Sequence, residues 1–362
     1  DRDGWVDLVT TSEWGPVRWF RNDEGRLVDH TDKAGLAKAT GFWNSVTACD
    51  VDQDGDLDLV AGNLGLNTKY KQPSAKKPHL AYYGDFDGSG KHFVEVKREN
   101  DCLYPERGRS CSSNAMPFIA KKFETFKGFA VASLAEIYEG QKLEKAEELS
   151  ITEFQTGVFE NEDGKFLFRP LPRAAQIAPT FGLCAGDFTG DGHPDLVLSG
   201  NFVWGPQIET GPFAGGLGLL LIGDGKGAFN PQEAGTSGIV LPQDHRALIR
   251  LDLDGNGSPD LLSAANNGPL GALRQGTATD KRWLSVRLPL NQAAGAIVTF
   301  RQNGMPGQTE VITTGSGYWS QNDAVAWFAL GSSSGVPGKV QVHWPDGTTT
   351  ARIWNGKETS LT

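Results

Sequence analysis

Apolar residues come in short runs through the first 281 positions, each bounded by polar, glycine-bearing turns. Leu59-Val60, Leu196-Val197-Leu198, Leu261-Leu262 and the stretch Leu217 to Ile222 are strand-sized and too short to span a bilayer. One stretch differs. From Phe129 to Leu149, the residues Phe129, Ala132, Ile137, Leu143 and Ala146 recur at helical spacing with Glu and Lys between them, which predicts a helix. Arg98 to Pro117 before it reads as irregular. Ile151 to Pro170 after it reads as strand, turn, strand, with Asn161-Glu162-Asp163-Gly164 at the turn. Beyond about residue 282 six runs alternate with turns: Trp283 to Leu288, Ala296 to Arg301, Thr309 to Thr314, Ala324 to Leu330, Lys339 to Trp344 and Thr349 to Trp354. This pattern predicts a small β-sandwich over 282–362, following a larger β-rich unit over 1–281 with an irregular and helical insertion at 98–150.

The apolar runs of the larger unit follow a recurring acidic loop of nine residues. The three complete copies run from Asp50 to Asp58, Asp187 to Asp195 and Asp252 to Asp260. Oxygen-bearing side chains stand at positions 1, 3, 5 and 9: Asp50, Asp52, Asp54 and Asp58; Asp187, Thr189, Asp191 and Asp195; Asp252, Asp254, Asn256 and Asp260. Glycine holds position 6, where a sharp turn is needed. Asp56, His193 and Ser258 at position 7 can each add a backbone carbonyl. Six to eight oxygens around a tight turn suit calcium. Two copies are partial. Asp1, Asp3, Gly4 and Asp7 fit positions 3, 5, 6 and 9, so the chain is expected to start inside a motif. Asp85, Asp87 and Ser89 begin another copy, which has Phe93 at position 9 and is expected to bind calcium weakly if at all.

An EF-hand also opens with spaced aspartates, but it needs a bidentate Glu at position 12 and flanking helices. Position 12 here is Ala61, Leu198 or Ser263. Plain Asp/Gly turns would explain one copy. They do not explain four carboxylates in the first loop, where like charges repel without a cation. Loops recurring at intervals of 35 to 102 residues, each leading into a strand, indicate a repeat architecture such as propeller blades. A second echo supports it. Polar turns at Arg21 to Leu27, Glu160 to Phe166 and Gly223 to Phe229 alternate with the acidic loops.

Composition sharpens this picture. The formal charge is −10, with forty-six glycines and ten tryptophans. Fifteen carboxylates fall in ligand positions of the five loops, so the acidity belongs to the proposed metal sites, and no basic stripe suggests nucleic acid. Cys102 and Cys111 are close enough in sequence for a local disulfide, whereas Cys49 and Cys184 precede acidic loops in apolar surroundings and read as buried thiols. Calcium sites of this kind fill best outside the cell, which predicts a secreted, periplasmic or cell-surface protein.

These residues resemble a known pair of families. The acidic loops with trailing Asp-Leu-Val or Asp-Leu-Leu resemble FG-GAP (VCBS-type) repeats, the calcium-binding units of the integrin α-subunit propeller. The segments Gly315 to Asp323, Phe328 to Gly331 and Val340 to Gly347 are similar to the ASPIC/UnbV domain. The resemblance implies an all-β fold, a β-propeller of FG-GAP-type repeats followed by a β-sandwich, with calcium held by the ligand-position residues of the acidic loops, at three or more sites. It also implies an extracellular role.

Candidate chemistry is sparse. Gly84 to His92 has the wrong spacing for a phosphate loop, and neither Gly-x-Ser-x-Gly nor His-Glu-x-x-His occurs. Asp244-His245-Arg246 is the most reactive-looking cluster. Arg107 and Arg109, with Trp204, His245 and Arg246, are candidate contacts for a ligand such as an acidic glycan. The leading expectation is a calcium-binding, non-catalytic module that recognises a protein or glycan. The alternative is a propeller-based polysaccharide lyase or hydrolase, in which converging His, Arg, Tyr or carboxylate groups would carry turnover.

Overall fold

A computed structural model describes residues 3–203, 211–276, 282–303, 307–330 and 336–362. The fold is all-β, with blade-like sheets built from the repeats, a helical insertion and a pair of C-terminal sheets. Four sheets carry the first partial copy and the three complete acidic loops. The first runs Leu8–Thr10, Arg18–Asp23, Arg26–Asp29. The second runs Ser45–Cys49, Asp58–Gly62, Gly157–Glu162, Lys165–Pro170. The third runs Thr180–Gly186, Asp195–Gly200, Leu219–Gly223, Phe229–Gln232. The fourth runs His245–Leu251, Asp260–Ala265, Leu270–Leu273.

Each complete acidic loop is the hairpin between the first two strands of its sheet. The register closes it on the position 9 aspartate: Cys49 opposite Asp58, Gly186 opposite Asp195, Leu251 opposite Asp260. The second strands are apolar on both sides, and Asp58–Gly62 and Asp195–Gly200 are buried throughout. That is why their sequence is a continuous run rather than an alternation. First strands of neighbouring sheets pack together: Ser45–Cys49 against Thr180–Gly186, and Thr180–Gly186 against His245–Leu251. Between them Val60, Leu183, Leu196, Leu198 and Leu221 form one core cluster. The polar echoes are the hairpins between the last two strands of the first three of these sheets.

The second sheet is interrupted. Its second and third strands are separated by residues 63–156, wider than the 98–150 stretch marked by the sequence pattern. This excursion forms its own four-stranded sheet from Cys102–Pro105, His92–Glu99, His79–Gly84 and Glu147–Ile151. Five short helices between Arg109 and Lys145 cover it. Leu80, Val94 and Val96 pack against Met116, Ile119, Leu134 and Ile137.

The single helix expected from Phe129 to Leu149 is therefore a correction. It breaks into Phe126–Val131, Leu134–Tyr138 and Gly140–Lys145, and Glu147–Ile151 is a strand. A Ser133–Glu136 capping box starts a new helix mid-stretch, and Glu139 at φ 66° ends it. The segment read as irregular likewise holds the strand Cys102–Pro105 and the helix Arg109–Ala115. No disulfide joins Cys102 to Cys111; the four described cysteines are thiols, and Cys102 is exposed.

All six C-terminal runs hold strands, to within three residues at each end. Val325–Leu330, Arg282–Arg287 and Ser360–Leu361 make one sheet; Gln308–Val311, Ile297–Gln302, Gly338–His343 and Thr349–Trp354 make the other. Leu284, Val286, Val298, Phe300, Phe328, Val340 and Trp354 fill the space between them. Val325–Leu330 is buried on its second face too, where Trp327 meets Arg250 of the fourth repeat sheet, the guanidinium 4.8 Å from the ring centroid.

Candidate metal centre

One geometry recurs in the acidic loops. The side chain at position 5 accepts the backbone N–H of position 7: Asp56 to Asp54 (2.9 Å), His193 to Asp191 (2.9 Å), Ser258 to Asn256 (2.7 Å) and, in the partial first copy, Trp5 to Asp3 (2.9 Å). The position 9 aspartate turns one oxygen back on its own loop, accepting from Val51 (2.9 Å), Phe188 (2.8 Å) and Leu253 (3.0 Å). Its other oxygen accepts a backbone N–H from further along the sheet. Asn22 donates to Asp7, Asn161 to Asp58, Gly223 to Asp195 and Gln275 to Asp260, at 2.7–3.0 Å. The last aspartate thus fixes the loop to the sheet. Asn22 and Asn161 reinforce this by donating side-chain N–H groups to Val6 and Leu57. The sequence marks these asparagines only as turn residues, because the loops they tie lie 16 and 104 positions away.

Two loops gather three carboxylates each, Asp50 with Asp52 and Asp58, and Asp252 with Asp254 and Asp260, with one oxygen from each within 4.8 Å of the others. The middle loop is arranged differently. Its position 3 is Thr189, although Asp187 accepts from Gly190 and Gly192 (2.6 and 2.8 Å) just as Asp252 does from Gly255 and Gly257 (2.8 and 2.9 Å). Buried oxygens without a protein partner remain in the first two loops, Asp50 Oδ1 and Thr189 Oγ1. Burial pushes Asp50 and Asp195 up to about 6 and Asp58 and Asp187 up to about 7, with neighbouring aspartates adding to each. Packed carboxylates in this state are costly to ionise unless a cation is supplied. The donors are all oxygens, which fits calcium rather than a nitrogen- or sulfur-loving metal. His193 keeps its ring out of the set: Nδ1 lies 2.7 Å from Gln53 Oε1, and Gln53 Nε2 donates to Gly192 O, linking the first two loops.

Of the remaining candidates, Asp1 and Trp204 lie outside the described residues. Asp3 and Asp7 keep the shared geometry, and Asp7 also accepts from Trp19 Nε1 at 3.0 Å. Asp85, Asp87 and Ser89 form a hairpin inside the excursion. Asp87 is held by Ser89 Oγ (2.6 Å) and lies 3.3 Å from His92 Nε2, so these groups satisfy one another. His245 is buried on Ser263 Oγ (2.9 Å), and burial holds it below the usual imidazole range. Arg246 points elsewhere, paired with Asp244 at 2.8 Å and stacked over Phe181 and Phe202. Arg107 pairs with Glu95 at 2.7 Å. Arg109 donates to Phe123 O and Ala120 O and is spent within the helices. Among the described residues, His245, Arg246, Arg107 and Arg109 are thus each held by protein partners.

Acidic hairpins at the head of successive sheets, followed by a two-sheet unit, define a protein of FG-GAP-like repeats with a C-terminal ASPIC and UnbV domain. The chain matches the FG-GAP-like repeat family over residues 1–61 and the ASPIC and UnbV family over residues 289–354. It is also similar to cartilage acidic protein 1 of mouse and of human, at 30% identity over 354 residues in each case. The alignments take in 96% of this chain and 40% of each relative, so the chain spans well under half their length.

Proposed function

We propose that the chain is a secreted, periplasmic or cell-surface recognition module that holds calcium in three or more loops and binds a protein or glycan without turning it over. The observation that carries this reading is the repeated loop geometry, with buried acidic oxygens gathered at the heads of adjacent sheets. The relatives' names place them in cartilage, which supports a site outside the cell. Asp50, Asp52, Asp54 and Asp58 would form the strongest site, with the Asp56 carbonyl. The second and third loops, with neutral Thr189 and Asn256, would be weaker, and the Asp85 hairpin weakest.

Calcium bound only to the folded form stabilises it by mass action, about 2.7 kcal/mol per site at a hundredfold excess over Kd. Chelation is therefore expected to lower the melting temperature by several degrees or more. An unchanged melting curve would remove the calcium from this reading.

One feature favours the enzymatic alternative. Although Glu13 is an exposed residue at the start of its strand, partial desolvation raises its carboxyl, Glu95 pushes it the same way, and Arg246 opposes the shift. Such a carboxyl can serve as a general acid. Polysaccharide cleavage that disappears in Glu13→Gln would favour that reading; glycan binding without cleavage supports the recognition module.

A further inference from the structure

The complete acidic loops are joined to one another by a device that occurs twice. The residue at position 2 of a loop donates its N–H to that loop's own position 9 aspartate, Val51 to Asp58 and Phe188 to Asp195, and turns its carbonyl to the next sheet. Val51 O accepts from Gly227 N at 3.4 Å, and Phe188 O accepts from Gln275 Nε2 at 3.1 Å. Both donors follow the third strand of that next sheet. The same strand end anchors its own loop: Gly223 N holds Asp195 at 3.0 Å, and Gln275 N holds Asp260 at 2.7 Å. The end of a third strand and the residues after it therefore grip position 9 of one loop and position 2 of the loop before it.

The first two loops share a second link. Gln53 stands between Asp52 and Asp54, in the left-handed region at φ 60°. Its Nε2 donates to Gly192 O at 2.9 Å, and its Oε1 lies 2.7 Å from His193 Nδ1. With the amide nitrogen as donor, Oε1 accepts and Nδ1 carries the hydrogen. The Gly192–His193 peptide thus takes a hydrogen bond at its carbonyl from the first loop and gives one at its N–H to Asp191, 2.9 Å away. Gly225 closes over this bridge, where a Cβ would collide with His193 Nδ1 and Gln53 Oε1. Neither Gln53 nor Gln275 stands at a ligand position, and both hold backbone that carries ligands. A loop ordered by a bound ion fixes part of its neighbour in advance, so the neighbour orders at lower cost. We propose that the three complete loops take up calcium as a coupled set rather than one by one, with Gln53 and Gln275 as the positioning residues that carry the coupling. The inference rests on the calcium reading above and adds to it the relation between the sites.

The test titrates calcium into the full chain and follows hydrogen exchange of segments 50–58, 187–195 and 252–260 separately by mass spectrometry. Asp52→Asn alters a ligand of the first loop alone. It is expected to raise the calcium concentration that half-protects 187–195 by about fivefold or more, the low end of ordinary coupling between sites. Gln53→Met keeps the side-chain length and loses both hydrogen bonds. In that background Asp52→Asn is expected to move the same midpoint by less than about twofold. Gln275→Met, combined with Asp191→Asn in the second loop, is expected to free 252–260 in the same way and decides the matter should Gln53→Met fail to fold. Calcium-dependent protection with a 187–195 midpoint that Asp52→Asn leaves in place overturns the coupling and leaves the calcium reading standing. So does a shift that is equal with and without Gln53, including one where Gln53→Met merely lowers the melting temperature in chelator. Absence of calcium-dependent protection in all three segments strikes the calcium reading, and the coupling with it.

Discussion

Asp58 shows two tasks on one side chain. It contributes an oxygen to the Asp50–Asp52 cluster, and it accepts N–H groups from Val51 and from Asn161. Removing it should therefore hurt the protein even without metal, because two buried backbone donors lose their partner. Asp58→Ala is expected to cost about 2–4 kcal/mol of stability in chelator, measured by denaturant unfolding. Asp52→Asn should behave differently. Within the loop Asp52 accepts a long 3.3 Å contact from Asp54 N, so stability in chelator should stay within about 0.5 kcal/mol while calcium stabilisation falls. The motif's alternation was legible because positions 1, 3, 5 and 9 are set by immediate neighbours. The double duty of position 9 was not, since Asn161 lies 103 residues along the chain.

At the scale of the loop, the raised carboxyls make metal binding a competition with protons. Asp50 and Asp195 sit near 6, Asp58 and Asp187 near 7, all above the ordinary value of 3.8. A folded-state value above the unfolded one means that stability from these groups is complete below about pH 4 and is lost as pH rises through 6 to 7 in metal-free protein. Calcium held as proposed would reverse the trend, since it needs the ionised form. Affinity measured by calorimetry is thus expected to rise severalfold or more from pH 5.5 to 7.5, and calcium uptake should release protons. The hairpins themselves were legible from Asp/Gly turns leading into apolar runs. The stretch from Phe129 to Leu149 was less so. Its helical spacing is real, but Glu147–Ile151 gains a partner in His79–Gly84, distant in sequence, and sheet pairing overrides the local pattern.

Across the whole molecule, the C-terminal sheets are joined to the repeat sheets by contacts that sequence patterns do not reveal. Arg250 and Glu310 form a bidentate pair, both largely buried. Asn322 accepts from Arg250 N at 2.8 Å, and Gly317 N donates to Val46 O at 2.9 Å. A segment resembling the ASPIC/UnbV signature is thus seated on first strands of the repeat sheets. Glu310→Gln is expected to destabilise the protein by about 3–5 kcal/mol, whereas replacing both partners with methionine should recover much of that loss, as read by thermal unfolding of the three proteins. Repeats and C-terminal strands could be read from local periodicity; this join could not, because Arg250 and Glu310, 60 positions apart, each look like an ordinary surface charge until the fold brings them together.

The excursion across 63–156 carries a consequence for biosynthesis. The hairpin Asp50–Asp58 leaves the ribosome before its anchor, because the amide that holds Asp58 belongs to Asn161 and emerges 103 residues later. Through that interval the nascent chain must carry an unfinished, strongly negative turn whose sheet is missing half its strands. Vectorial synthesis therefore delays completion of the first loop until the inserted sheet and its helices have had time to assemble.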